Sequence, residues 1–205
     1  MRRNFEILGL CMGWFAIIAQ LILMLQNRQA GIGETLVRFF SFFTILTNIL
    51  VAFYFTVRVF GLKRRGWVLF HRRATPMALT AFIVVVGIVY QMVLRSIWNP
   101  TGLQQIVDEL LHTIIPVFMY VYWLLFCAKN FVGWKKLQSW LLYPILYVVW
   151  VLVRGNFSGF YPYPFLEVPK LGMGAVVLNV FMVLALILLI MTALYFLGKL
   201  LRPKQ

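Results

Sequence analysis

The stretch AVVLNVFMVLALILLIMTALYFL, from Ala175 to Leu197, decides the fold class of this chain. Its 23 residues include no charged side chain. A helix needs about 20 apolar residues to cross the hydrocarbon core of a bilayer. The stretch therefore predicts a transmembrane helix.

Five further apolar runs of similar length precede this one, with short spacers between them. The six predicted spans are Leu8 to Leu25, Leu36 to Arg58, Pro76 to Leu94, Gln105 to Cys127, Leu137 to Val153 and Ala175 to Leu197. Lipid offers no partner to an unpaired backbone amide, so each run must form a helix or join a closed barrel. The runs lack the alternation of barrel strands. We therefore expect an all-α, polytopic integral membrane protein, with residues 1–205 forming one six-helix transmembrane domain.

The composition excludes an ordinary soluble domain. Of the 205 residues, 63% are hydrophobic and 12% are charged, whereas soluble domains carry about 25% charged residues. The first apolar run is longer than a signal-peptide core and is not followed by a cleavage pattern, so we expect it to be retained as a helix. Cys11 and Cys127 form no CxxC motif and indicate neither a disulfide nor a metal site. No metal or organic cofactor is implied.

The basic residues are concentrated at one end of the predicted helices. Fourteen of the nineteen Lys and Arg residues fall there: Arg2, Arg3, Arg58, Lys63, Arg64, Arg65, Arg72, Arg73, Lys129, Lys135, Lys136, Lys199, Arg202 and Lys204. Short loops rich in Lys and Arg mark the cytoplasmic face, so both termini are expected in the cytoplasm and the protein in the plasma membrane. This topology, together with anionic membrane lipids as partners, accounts for the net charge of +14 and makes nucleic-acid binding unnecessary.

The second predicted span carries Ser41, Thr44 and Asn48 at positions i, i+3 and i+7, which places them on one helix face. Such residues commonly bind neighbouring helices or their own i−4 carbonyl. The alternative is that a hydroxyl on this face acts as a nucleophile.

The fourth predicted span enters the membrane from the same side and carries Asp108, Glu109 and His112. Asp108 and His112 are i, i+4 neighbours. A hydroxyl, an imidazole and a carboxylate that orients the imidazole are the components of an activated nucleophile. His112 is otherwise a structural histidine, and the two carboxylates otherwise cap the positive end of their helix.

The segment from Arg154 to Glu167 follows the fifth span and contains Tyr161, Tyr163 and two prolines. The prolines exclude a regular helix. One interpretation is an aromatic belt at the membrane interface; the other is a lid or wall for an acyl chain, to which Tyr163 would contribute.

Taken in order, three motifs resemble the androgen-induced-gene and androgen-dependent TFPI-regulating protein-like family, in a compact form typical of a bacterial branch. They are Phe-x-Thr or Phe-x-Ser in the second span, His112-Thr113 with the nearby Pro116, and the stretch from Ser158 to Glu167. The family consists of multi-pass membrane threonine hydrolases that cleave fatty acid esters of hydroxy fatty acids. The resemblance implies that His112 is the catalytic histidine. The threonine matches either Thr44 or Ser41, depending on the register.

Four polar residues near the outer ends of the second, third and fifth spans complete a candidate substrate site. They are Arg38, Gln91, Arg95 and Arg154. A guanidinium binds a carboxylate or a phosphate, and the substrate that the resemblance implies has a free carboxylate; the alternative is contact with lipid headgroups.

The leading hypothesis is hydrolysis of a lipid ester, with Thr44 or Ser41 as nucleophile, His112 as general base, Asp108 as its orienter and Asn48 as an oxyanion donor. The substrate would be a lipid or fatty acid ester. A proton-coupled transporter, with Asp108 and His112 as the coupling pair, and a non-catalytic membrane scaffold are the alternatives.

Overall fold

The computed structural model describes residues 1–130 and 132–202, and in this part of the chain it contains helices and no strands. Six of the described helices are long and apolar enough to cross a membrane, which confirms the predicted fold class. The helices are α1 (Arg2–Gln26), α2 (Ile32–Phe39), α3 (Phe43–Phe60), α4 (Ala74–Leu94), α5 (Gly102–Phe126), α6 (Trp134–Ser158) and α7 (Met173–Leu200). Helix α2 lies outside the six spans, as do two helices of four residues, Val68–His71 and Val168–Leu171.

The second predicted span, Leu36 to Arg58, differs most from the structure. Helix α2 ends at Phe39, Phe42 is extended, and α3 begins at Phe43. Ser41 therefore lies in a break between two helices instead of on the face of a continuous one. The fifth span is longer than expected and ends at Ser158, so that Arg154 lies within α6.

Side chains from elsewhere in the fold satisfy the backbone groups that this break exposes. The Tyr147 hydroxyl donates to the backbone carbonyl of Ser41 at 2.9 Å, and the backbone N–H of Thr44 donates to the Tyr163 hydroxyl at 3.2 Å. Irregular backbone at membrane depth is tolerated only where protein groups replace the missing hydrogen bonds. The two tyrosines supply that replacement.

Helix α4 lies at the centre of the bundle. Its first fourteen residues, 74–87, are almost all buried, and it contacts α3, α5 and α7. Helices α6 and α7 turn large apolar side chains outward, among them Trp150 and Phe181. Outward apolar faces around a buried central helix suit a bundle whose surroundings are lipid.

Polar contacts show which helix ends lie together. At one end of the bundle, Glu6 of α1 accepts hydrogen bonds from Arg58 of α3 and Tyr122 of α5. At the other end, Arg154 of α6 donates to Glu34 of α2. Successive spans therefore run in opposite directions. Thirteen of the fourteen clustered basic residues lie at or beyond the Glu6 end; Lys204 lies outside the described residues.

Candidate active site

His112 and Asp108 lie one turn apart on α5 and are in hydrogen-bond contact. The Nδ1 atom of His112 is 3.0 Å from the Asp108 backbone carbonyl and 3.2 Å from the Oδ1 atom of its carboxylate. A carbonyl oxygen only accepts, so Nδ1 carries a hydrogen and a neutral ring keeps its lone pair on Nε2. Within the described residues no hydrogen bond occupies Nε2. His112 thus has the tautomer of a general base.

The imidazole of His112 is held between α4 and α5. Its ring stacks on Tyr90 with the centroids 4.2 Å apart and the planes tilted by 15°. Each helix has a π-helical turn at this level, Tyr90–Leu94 and Leu110–Ile114. Gly87 allows the close approach of the helices, because a Cβ atom there would lie 3.0 Å from the His112 carbonyl oxygen. Single π-helical turns are frequent at functional sites.

Thr44 lies in the first turn of α3 and lines a largely apolar cleft between α3, α4, α6 and α7. Its Oγ1 atom is 3.3 Å from the hydroxyl of Tyr163, which also accepts the Thr44 N–H. The ring of Tyr163 stacks on Phe165. The segment after α6 therefore closes over Thr44.

Ser41 is fully buried and its hydroxyl is already used. The Oγ atom donates to the carbonyl of Val37, in the last turn of α2, at 2.7 Å. Ser41 does not line the Thr44 cleft. Of the two hydroxyls considered from the sequence, the one on Thr44 belongs to a residue that lines this cleft, and the one on Ser41 does not.

Asn48 connects the helix of Thr44 to the helix of His112. Its Nδ2 atom donates to the Thr44 carbonyl at 2.8 Å and to the Leu111 carbonyl at 3.3 Å. Both amide hydrogens are thereby used, so Asn48 has none left for an oxyanion. Thr44 lies one turn, about 6 Å, from Asn48 along α3.

The structure does not join Thr44 to His112 directly. Among the described residues no hydrogen bond links Thr44 or Ser41 to the imidazole. His112 lines a different cavity, an open groove between α4 and α5 that Gln91, Thr113 and Tyr120 also line. Thr44 and His112 lie on neighbouring helices. The Asn48 side chain connects these helices through its hydrogen bonds to the Thr44 and Leu111 carbonyls.

Arg38 and Arg154 form one cluster around Phe160, beyond the break. Both guanidinium groups donate to the Oε1 atom of Glu34, at 2.8 and 2.6 Å, and they lie 4.6 and 4.9 Å from the Phe160 ring centroid. Hydrogen bonds from Arg38 and Arg154 lower the pKa of the Glu34 carboxyl. Two arginines and one carboxylate leave this cluster with a net positive charge.

Gln91 and Arg95 form a second polar cluster, with Glu109 and Thr113. Arg95 donates to Gln91 at 2.8 Å and to Glu109 at 2.6 Å, Gln91 donates to Thr113 at 2.9 Å, and Thr113 donates to Glu109 at 2.7 Å. This closed ring borders the His112 groove. Glu109 therefore pairs with Arg95 in mid-helix and does not cap the helix N-terminus, which is at Gly102.

Two buried oxygens in this region have no hydrogen-bond partner among the described residues. They are the Oδ1 atom of Asn48 and the Oδ2 atom of Asp108. Buried acceptors normally find a donor, so each is a place where a water molecule would be stabilised.

Tyr90 and the role of Tyr163 beside Thr44 were not predicted from the sequence. Tyr90 contacts His112 only because two helices pack together, and no local spacing indicates that contact. A lid was one of two interpretations of the segment around Tyr163, and the hydrogen bonds of Tyr163 to Thr44 were not predicted. Glu6 was also missed, since a lone glutamate near a terminus gives no pattern.

The chain matches no family model, no curated protein and no solved structure.

Proposed function

We propose that this protein is a membrane-embedded hydrolase of lipid esters in which Thr44 is the nucleophile and His112, oriented by Asp108, is the general base. The observation that carries the proposal is the hydrogen bond from His112 Nδ1 to Asp108, on a helix that Asn48 ties to the helix of Thr44. An oriented imidazole and a hydroxyl on adjoining elements are what acyl transfer requires.

The surroundings of Thr44 suit an ester with long apolar chains. The cleft beside it is lined by aliphatic and aromatic side chains of α4, α6 and α7. The Arg38–Arg154 cluster surrounds Phe160, three residues before Tyr163 in the chain. Its positive charge suits an anionic end group of the substrate. The motif resemblance implies the same substrate class, a fatty acid ester of a hydroxy fatty acid.

Proton transfer from Thr44 to His112 requires a change from the structure described. The Thr44 hydroxyl is bonded to Tyr163, so it must turn toward α5, or one water molecule must connect the two groups. Catalytic hydrogen bonds often form only when the substrate is bound.

We also propose that the protein lies in the plasma membrane with both termini in the cytoplasm. The excess of Lys and Arg at the Glu6 end of the bundle supports this orientation.

Purified protein in detergent tests the enzymatic proposal. It should hydrolyse a long-chain ester such as p-nitrophenyl palmitate without any ion gradient. Thr44→Ala should abolish the activity, whereas Thr47→Ala should retain it, because Thr47 is a buried threonine of the same helix that pairs with Tyr143. Equal activity of the two variants would refute the proposal.

A proton-coupled transporter is the second candidate, because Asp108 and His112 are two ionisable side chains in contact within a membrane span. Proton-driven solute flux in liposomes, together with no ester hydrolysis, would favour it over the hydrolase.

A further inference from the structure

Tyr163 contacts both polar atoms of Thr44. Its hydroxyl lies 3.2 Å from the backbone nitrogen and 3.3 Å from Oγ1, and its side chain is buried. No other described side chain hydrogen-bonds to the Thr44 hydroxyl.

The Thr44 N–H donates, so the phenolic oxygen accepts it. In the contact between the two hydroxyls either oxygen can be the donor. A phenol that accepts the N–H still has its own hydrogen to donate to an acceptor beside Thr44. The Thr44 N–H is free for this contact because the first amides of a helix have no partner within it.

The ring of Tyr163 is fixed by its neighbours. It stacks on Phe165 with the planes 3° apart and meets the edge of Phe42 at 5.8 Å. Burial raises the pKa of Tyr163, so the phenol keeps its proton at neutral pH. A fixed, protonated phenol is a hydrogen-bond donor rather than a base.

From this geometry we infer that Tyr163 is a catalytic residue: its phenol, held in place by the Thr44 N–H, donates its hydrogen to the oxyanion that forms when Thr44 attacks an ester carbonyl. The inference rests on the hydrolase function proposed above. Asn48 cannot take this role, because both its amide hydrogens are bound to backbone carbonyls.

The reaction balances as ordinary acyl transfer. Thr44 Oγ1 forms a bond to the carbonyl carbon, its proton passes to His112 Nε2, and the carbonyl electron pair moves onto the oxygen that the Tyr163 hydroxyl stabilises. The bond to the leaving alcohol then breaks, and the alcohol takes the proton from His112. Water, deprotonated by His112, then attacks the acyl carbon; the bond to Thr44 Oγ1 breaks, Oγ1 takes the proton back from His112, and the carboxylic acid leaves. Tyr163 keeps its own proton throughout.

Tyr163→Phe tests the inference, with Tyr143→Phe as the matched control. Tyr143 is also a buried tyrosine that hydrogen-bonds to a threonine of α3, but its partner is Thr47. Loss of one oxyanion donor typically lowers kcat by about 10²-fold or more, so we expect that loss for Tyr163→Phe, with KM within about twofold, since only transition-state stabilisation is removed. Labelling by a fluorophosphonate should slow by a similar factor. Tyr143→Phe should keep both rates.

The possible outcomes separate this inference from the proposed function. Full kcat in Tyr163→Phe, with Thr44→Ala inactive, would overturn the role of Tyr163 and leave the hydrolase intact. An active Thr44→Ala would refute the hydrolase itself.

If Tyr163→Phe does not fold, difluorotyrosine at position 163 replaces it as the test, because it retains the ring and the hydroxyl. Its more acidic phenol should move the alkaline loss of kcat to lower pH. An unmoved alkaline limb would overturn the inference.

Discussion

The imidazole of His112 is where the sequence pattern and the structure agree most closely at the residue scale. The i, i+4 spacing of Asp108 and His112 predicted contact on one helix, and Nδ1 does lie against the backbone carbonyl and the Oδ1 atom of Asp108. Contacts that depend on packing between helices were not predictable in this way. The stacking of Tyr90 on His112 and the hydrogen bond between Tyr163 and Thr44 each join residues that are far apart in the chain.

Asp108→Asn should reduce ester hydrolysis less than His112→Ala does. The Asp108 backbone carbonyl still accepts the Nδ1 hydrogen in this variant, so the His112 tautomer is kept in part. We therefore expect kcat to fall by about 10²-fold, less than in a triad whose histidine is oriented by a carboxylate alone. His112→Ala should abolish turnover. His71→Ala is the control, since His71 is exposed and, among the described residues, its ring hydrogen-bonds to the Leu62 carbonyl alone. Initial rates of hydrolysis of a long-chain ester measure the relative activities of the three variants. An inactive His71→Ala would show that loss of a histidine lowers activity through misfolding.

At the scale of elements, the apolar runs predicted every transmembrane helix, whereas the break at Phe40–Phe42 was not foreseen. The run from Leu36 to Arg58 contains neither Pro nor Gly, so local propensity favours one continuous helix. The break exists because Tyr147 and Tyr163 satisfy the backbone groups that it frees. Those tyrosines belong to distant segments, so a local reading of the second span could not reveal it.

Glu6 is the residue that connects three elements at the basic end of the bundle. Its Oε1 atom accepts hydrogen bonds from Arg2, Arg58 and Tyr122 at 3.0, 3.1 and 2.7 Å. Hydrogen bonds to charged groups contribute about 1.5–3 kcal/mol. The cluster therefore holds α1, α3 and α5 together at a position remote from Thr44.

Glu6→Gln should lower stability and leave the specific activity of the folded protein unchanged. A loss of about 2 kcal/mol corresponds to a fall of roughly 4–8 °C in the unfolding midpoint of a domain of this size. Thermal unfolding in detergent measures the shift. Glu167→Gln is the matched control, because the Glu167 side chain makes no hydrogen bond or ion pair with the described residues. Equal midpoints for the two variants would contradict the account of Glu6.

On the scale of the whole molecule, composition and charge distribution predicted the class of protein and the alternating direction of the spans. Which side of the bundle faces the cytoplasm stays a prediction. It rests on the clustering of Lys and Arg at the Glu6 end.

Single cysteines test that orientation in a chain whose Cys11 and Cys127 are replaced by serine. Cysteines at Lys63 and Lys136 should resist a membrane-impermeant maleimide in intact cells, and one at Lys170 should react. All three should react after permeabilisation, which controls for accessibility. Labelling of Lys63→Cys in intact cells would reverse the proposed topology.

The location of a covalent probe on the chain tests the hydrolase most directly. Protein treated with a fluorophosphonate, digested and sequenced by mass spectrometry should carry the adduct on Thr44, and the adduct should disappear in Thr44→Ala and in His112→Ala while it persists in Thr47→Ala. An adduct on Ser41 or elsewhere, or no adduct on folded protein that hydrolyses esters, would contradict the assignment of Thr44 as the nucleophile.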